Sequence, residues 1–277
     1  MIALITFLVL AIGLSGMIDY FVWTSIGWQY FWIGILTIYP IFVILSFLYI
    51  FLLAILSLFC NKKKPVPAPN RFAYHFLRQG DIVINFFARV KIKATGLERI
   101  PKDQKVLYVN NHNSNFDQMV MIQLLKDKKL CFITKPGNFG IPIAGSYMYW
   151  CGFLPINRED PRLAIPTIRK ASNYVKEQIT SVSICPEGTR NKTDQLMLPF
   201  HPGSFKIATS AKCPIVLISI RNTKNIKKNF PLHSTTVSFD VLTVLPFEQY
   251  QGLTTAELSE KCHKIIEDNL KKENAEE

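Results

Sequence analysis

The first sixty residues contain no lysine, arginine or histidine and only one acid, Asp19. A charge-free start of this length is a membrane signal, because a helix crossing hydrocarbon needs roughly 20 mostly apolar residues. Two spans are predicted: Ile2 to Ile18, and Trp32 to Phe59, which is long enough to cross with tilt or with a kink at Pro40. Between them, Tyr20, Trp23, Trp28, Tyr30 and Trp32 form an interfacial aromatic belt. The reading is a helical hairpin over residues 1–60. A cleaved signal peptide followed by one span is the weaker alternative, since there is no basic n-region and no small-residue cleavage site before Asp19. Lys62, Lys63 and Lys64, directly after the second span, place the rest of the chain on the cytoplasmic face of the membrane.

All 32 basic residues lie beyond Cys60, and the chain carries a formal charge of +12. A basic domain beside a bilayer is attracted to anionic headgroups. No nucleic acid partner is expected, because the basic residues are dispersed and no nucleic-acid motif is present. The six cysteines form no CxxC pair and sit mostly in apolar runs, which predicts free thiols rather than disulfides or a zinc site.

Residues 61–89 begin with the proline-rich, lysine-rich stretch NKKKPVPAPNR, a linker. It is followed by FAYHFLRQGDIVINFFARV, read either as membrane-proximal amphipathic helices or as a core-facing helix. From residue 90 to 277 short β-type runs alternate with helical ones. VKIKATG, KVLYV, LCFIT, SVSIC, PIVLISI and TTVSFDVLTVL read as strands. Asp117 to Lys128, Pro161 to Thr180 and Thr255 to Lys272 read as helices, the last preceded by Thr254 and Glu257 at capping-box spacing. The fold class is therefore α/β, a mostly parallel or mixed sheet flanked by helices, behind an N-terminal hydrophobic hairpin.

Ligands in such sheets gather where strands end and helices begin. NNHNSNFD, residues 110–117, occupies such a place. An imidazole there acts as a general base near neutral pH once a neighbour fixes its tautomer, and Asp117 is spaced to do so for His112. The pair lacks its own nucleophile and suits deprotonation of a substrate hydroxyl. The same residues also serve a plain turn with a helix cap. In GFLPINRED, Arg158 offers a bidentate phosphate contact, or a surface ion pair with Glu159 or Asp160. In ICPEGTRNK, a tight turn carries Glu187, Gly188, Thr189 and Arg190, suited to an anion with a carboxylate beside it. In PFHPGSFKIATSAKCPIVLISI, mostly architecture, Lys206 is the candidate substrate contact.

Taken in order, these four blocks resemble the glycerophospholipid acyltransferase family, in particular its lysophosphatidic acid acyltransferase branch. NHNSNFD matches the Asn-His, four residues, Asp pattern; GFLPINR matches the block ending in Arg; PEGTR matches the third block as it stands; and CPIVLISI matches the fourth. The resemblance covers about Val90 to Leu245. It implies an enzyme, a 1-acylglycerol-3-phosphate O-acyltransferase of phospholipid biosynthesis, that moves a fatty acyl group from an acyl carrier protein or coenzyme A thioester to the sn-2 hydroxyl of lysophosphatidic acid. His112 and Asp117 would be the catalytic residues. Arg158, Glu187 and Arg190 would hold the glycerol phosphate headgroup, Gly188 and Thr189 would shape the turn, and Lys135 would lie near the phosphate. No metal or organic cofactor is implied. The chain departs from the family pattern at Cys185, Leu217, Gly137 and Pro155.

Overall fold

The computed structural model describes residues 2–30, 32–62, 69–125, 130–157 and 161–275. Arg158, Glu159, Asp160, Lys63, Lys64 and most of the proline-rich linker lie outside the described residues. The chain divides into two compact units, Met1–Lys63 and Lys64–Glu277.

In the first unit α1 (Ile2–Ser25) and α2 (Trp32–Leu58) run antiparallel. Ser15 accepts a hydrogen bond from Thr37 at 3.1 Å, and the rings of Phe7 and Tyr49 meet at 5.3 Å. The single acid has a structural task. Asp19 accepts the backbone N–H of Gly34 at 3.0 Å, one of the donors that the first turn of α2 cannot satisfy itself. A Cβ on Gly34 would sit 2.3 Å from that carboxyl carbon, so the approach requires glycine. Both helices are long and apolar enough to cross a membrane. α1 runs to Ser25 instead of stopping at Ile18, because no breaker follows until Gly27, at φ +133°. Tyr20 and Trp23 are therefore helical, and only Trp28–Tyr30 forms a separate short turn.

The second unit opens with α3 (Arg71–Phe87), whose first N–H groups at Phe72 and Ala73 are capped by the Asn70 side chain at 2.9 and 3.1 Å. It is one helix, the second of the two expected arrangements. The remaining elements are β1 (Val90–Thr95), β2 (Leu107–Asn110), α4 (Phe116–Leu124), β3 (Leu130–Thr134), α5 (Ala144–Trp150), β4 (Leu154–Pro155), α6 (Pro161–Lys176), β5 (Ser181–Ile184), α7 (Lys206–Ala211), β6 (Ile215–Arg221), α8 (Thr223–Asn229), β7 (Thr235–Leu245) and α9 (Thr255–Ala275). α6 stops at Lys176, short of Thr180, with Gln178 at φ +56° turning the chain into β5. α9 begins at the capping box: Thr254 N–H donates to Glu257 Oε2 at 2.8 Å, and Glu257 N–H donates back to Thr254 Oγ1 at 3.2 Å.

The seven strands form one mixed sheet in the order β1-β7-β6-β2-β5-β3-β4. β6, β2, β5, β3 and β4 run parallel; β7 is antiparallel to β6 and carries β1 parallel to itself. The central strands β2 (LYVN) and β5 (SVSI) are buried along their whole length, as strands of a sheet covered on both faces are. One side of the sheet packs against α6, α7 and α9 through Leu107, Val182, Ile215, Tyr174, Phe205 and Leu258. None of the six cysteines is in a disulfide: Cys131, Cys151, Cys185, Cys213 and Cys262 are buried, and Cys60 is half-buried.

Candidate active site

Because β6, β2, β5 and β3 are parallel neighbours, the segments leaving their carboxyl ends come together at one edge of the sheet. NNHNSNFD leaves β2 there, between the turn after β5 and the start of α8 after β6. Asn111 pins the chain first. Its amide copies a backbone pair, donating to Ile220 O and accepting from Ile220 N, both at 2.8 Å.

His112 follows, only 8% exposed. Its Nδ1 lies 2.9 Å from Asp117 Oδ2. That oxygen also accepts the backbone N–H groups of Asn113 at 2.7 Å and Ser114 at 2.8 Å, while Oδ1 accepts the Thr223 hydroxyl at 2.5 Å. Asp117 is fully buried and acts as an acceptor in all four contacts, so the ring proton belongs on Nδ1 and the lone pair is on Nε2. The tautomer needed for a general base is thereby set. The short loop between the two residues is itself wrapped around the carboxylate, which explains the run of small polar residues in the sequence.

Glu187, in the turn after β5, is 3% exposed. Its Oε1 accepts the backbone N–H of His112 at 2.6 Å, and its Oε2 accepts that of Leu198 at 2.9 Å. Burial pushes its pKa up, and the N–H groups of Leu198 and His112 oppose that shift. The His112 carbonyl is held from the other side by Asn191 N–H at 2.8 Å. The main chain of His112 is therefore clamped at both ends by the PEGTR turn and the residue following it. Each oxygen of Glu187 thus accepts one main-chain N–H, and the one from His112 ties the PEGTR turn to the His112 loop.

Gly188 lies at φ +72°, in the left-handed region where the turn requires glycine. Thr189, Arg190 and Lys135 are exposed, the first two on this turn and Lys135 directly after β3. A cavity of about 640 Å³ reaches the turn at Cys185 and Gly188. Its walls are the isoleucines 133, 156, 165, 168 and 184, and Arg162, Arg169, Lys176 and Lys206 also line it. Lys206 thus faces a pocket beside the site, whereas Thr189, Arg190 and Lys135 are not among its described lining. Arg158 lies outside the described residues.

Thr223 and Asn191 were not singled out from the sequence. Thr223 lies two residues beyond the carboxyl end of β6, as His112 lies two residues beyond that of β2. Asn191 had no separate signal.

An acyltransferase family model matches residues 91–221, from β1 through β6. The 1-acyl-sn-glycerol-3-phosphate acyltransferase BAT2, chloroplastic, of Brassica napus is 35% identical over 158 residues, 57% of this chain and 45% of that protein. The 1-acyl-sn-glycerol-3-phosphate acyltransferase of Escherichia coli (strain K12) is 30% identical over 164 residues, 59% of this chain and 66% of that one. Residues 91–221 are thus similar to the acyltransferase family. The match spans less than half the length of the plant relatives, at 45% and 43%. The acyltransferase fold is seen again in the crystal structure of the 1-acyl-sn-glycerophosphate (LPA) acyltransferase PlsC from Thermotoga maritima. It superposes with a TM-score of 0.62 at 19% identity, over 82% of this chain and 89% of that one. The family match contains the His112 loop and the Glu187 turn in full.

Proposed function

We propose that this chain transfers a fatty acyl group from an acyl thioester, of acyl carrier protein or coenzyme A, to the sn-2 hydroxyl of lysophosphatidic acid, giving phosphatidic acid. The observation that carries the reading is the buried His112–Asp117 pair, with Nδ1 tied to the carboxylate at 2.9 Å and no serine, threonine or cysteine side chain joined to the His112 ring in the described hydrogen bonds. A base of this kind needs a hydroxyl from the substrate. The names of the two relatives supply that substrate class.

In the proposed step, His112 Nε2 takes the hydroxyl proton as the oxygen attacks the thioester carbonyl. Asp117 stabilises the imidazolium that forms. The tetrahedral intermediate then collapses, the C–S bond breaks, and the imidazolium returns the proton to the departing thiolate. The step balances without a metal or organic cofactor and without an acyl-enzyme. The cavity beside Gly188 offers the two chemistries of a lysophospholipid, cations for a phosphate and isoleucines for a chain. Arg158 and Arg190 are assigned to the headgroup by the resemblance. α1 and α2 would hold the protein in the membrane that contains its substrate, with the catalytic unit on the cytoplasmic face.

The test is a panel assay on purified protein in detergent. Lysophosphatidic acid, other lysophospholipids and glycerol 3-phosphate are offered with acyl-coenzyme A and with acyl carrier protein thioesters. Phosphatidic acid formed from lysophosphatidic acid in preference to the other acceptors is the expected result. Preferential acylation of a different acceptor, or none at all, refutes the assignment.

A further inference from the structure

Helix α3 turns apolar side chains outward. Its buried side is mixed: Ala73, Leu77 and Ile82 lie there with Tyr74, Asp81 and Asn85, which are 4%, 5% and 2% exposed, and Asn85 Nδ2 donates to Gln123 Oε1 at 2.8 Å. Its outward side is aromatic and aliphatic: Phe72, Ile84, Phe86 and Phe87 are 55%, 44%, 61% and 56% exposed. With about 3.6 residues per turn, Phe72, Phe86 and Phe87 share one side of the helix along with half-buried Val83. A water-facing helix carries the opposite arrangement. The apolar surface continues beyond the helix. Arg89 Nη1 donates to Leu232 O at 2.9 Å, and Thr235 N–H donates to Arg89 O at 3.2 Å, which brings the Phe230–Leu232 turn to this end of the unit. Phe230 is 54% and Leu232 74% exposed.

We propose that this surface docks in the interfacial layer of an anionic bilayer, as a second membrane contact separate from the N-terminal hairpin. Three observations favour lipid as the occupant. First, the chain from Leu58, the end of α2, to Arg71 is short, and at about 3.5 Å per residue it reaches no more than about 45 Å, so α3 is held near the membrane that α2 enters. Second, the outward residues are mainly phenylalanines flanked by exposed cations, Arg89, Lys91, Lys227 and Lys228, the composition that suits an anionic interface. Third, the patch spans two separate elements, a helix and a turn, as a flat surface partner would require. The contact would bring the catalytic unit to the lipid surface rather than leave it swinging on its linker.

The test uses the full chain with Cys60→Ser, reconstituted in vesicles of phosphatidylcholine and phosphatidylglycerol. A nitrobenzoxadiazole fluorophore is placed on Phe87→Cys, on Phe230→Cys, or on Lys264→Cys in α9 as the reference. The first two labels are expected to shift to the blue and to be quenched by doxyl-labelled lipid, and the reference label to be quenched by aqueous iodide instead. Labels at residues 87 and 230 that behave like the reference overturn the proposal, as does a blue shift without lipid quenching, which would mean that protein covers the patch. This readout needs no turnover, so it stands apart from the assignment of the reaction. In a second arm, which does rest on that assignment, the Phe86→Glu, Phe87→Glu double variant is expected to lose about ten-fold in rate on vesicle-borne acceptor, equivalent to about 1.4 kcal/mol. On detergent-dispersed acceptor it is expected to keep its rate. Equal loss on both would show a folding defect and contradict docking.

Discussion

Glu187→Gln separates positioning of the base from recognition of the headgroup. The native carboxylate accepts two backbone N–H groups, from His112 at 2.6 Å and Leu198 at 2.9 Å. A glutamine retains one acceptor and turns its amide donors toward the other N–H, so one bond becomes a donor–donor clash. A hydrogen bond to a charged acceptor contributes about 1.5–3 kcal/mol, and part of that is offset because a buried charge, whose pKa burial raises, is removed. The net loss of stability should be about 1 kcal/mol. The kinetic effect should be larger, since a displacement of about 1 Å at a reacting group costs on the order of 100-fold. Initial rates of phosphatidic acid formation against lysophosphatidic acid concentration should show kcat lowered about 10- to 100-fold. KM for lysophosphatidic acid should stay at the wild-type value. A raised KM with kcat intact is how a residue touching the headgroup behaves, and it would refute the clamp.

Thr223→Val keeps the shape and removes the hydroxyl that donates to Asp117 Oδ1. At about 1–1.5 kcal/mol for that bond, a fall in kcat of roughly 5- to 10-fold is expected, and a wild-type rate would show that the contact is idle. Asp81 has a different signature: burial pushes it from an ordinary 3.8 to about 8. In the folded chain it keeps a proton that the unfolded chain releases, so stability falls as pH rises from about 4 to about 8, by up to about 1.4 kcal/mol per pH unit. Asp81→Asn should flatten that slope and raise Tm most near pH 8, with little change near pH 4; an unaltered pH profile in thermal melts would contradict it.

The sheet, its flanking helices and the apolar hairpin were legible because each rests on local pattern: unbroken runs for buried strands, helical periodicity, and a long absence of charge. His112 and Asp117 were legible as a pair because one loop brings them together within six residues. The partners that complete the pair were not. Thr223 and Glu187 reach the loop through strand order, β6 and β5 on either side of β2, and neighbour relations in a sheet are not written in spacing. For the same reason Glu187 reads in sequence as a charged turn residue open to substrate, while in the fold its oxygens are occupied by main-chain donors. The outward apolar side of α3 was half visible: its apolar periodicity showed in the sequence, but which residues turned inward depended on the groups packed beneath it.

The central claim is that His112 is the base for one lipid hydroxyl. Its direct test compares wild type and His112→Ala, each purified and reconstituted, given lysophosphatidic acid and an acyl thioester while phosphatidic acid and free thiol are followed together. The account predicts matched release of both products from wild type, none above background from His112→Ala, and an unchanged melting profile. Turnover by His112→Ala near the wild-type rate would contradict it.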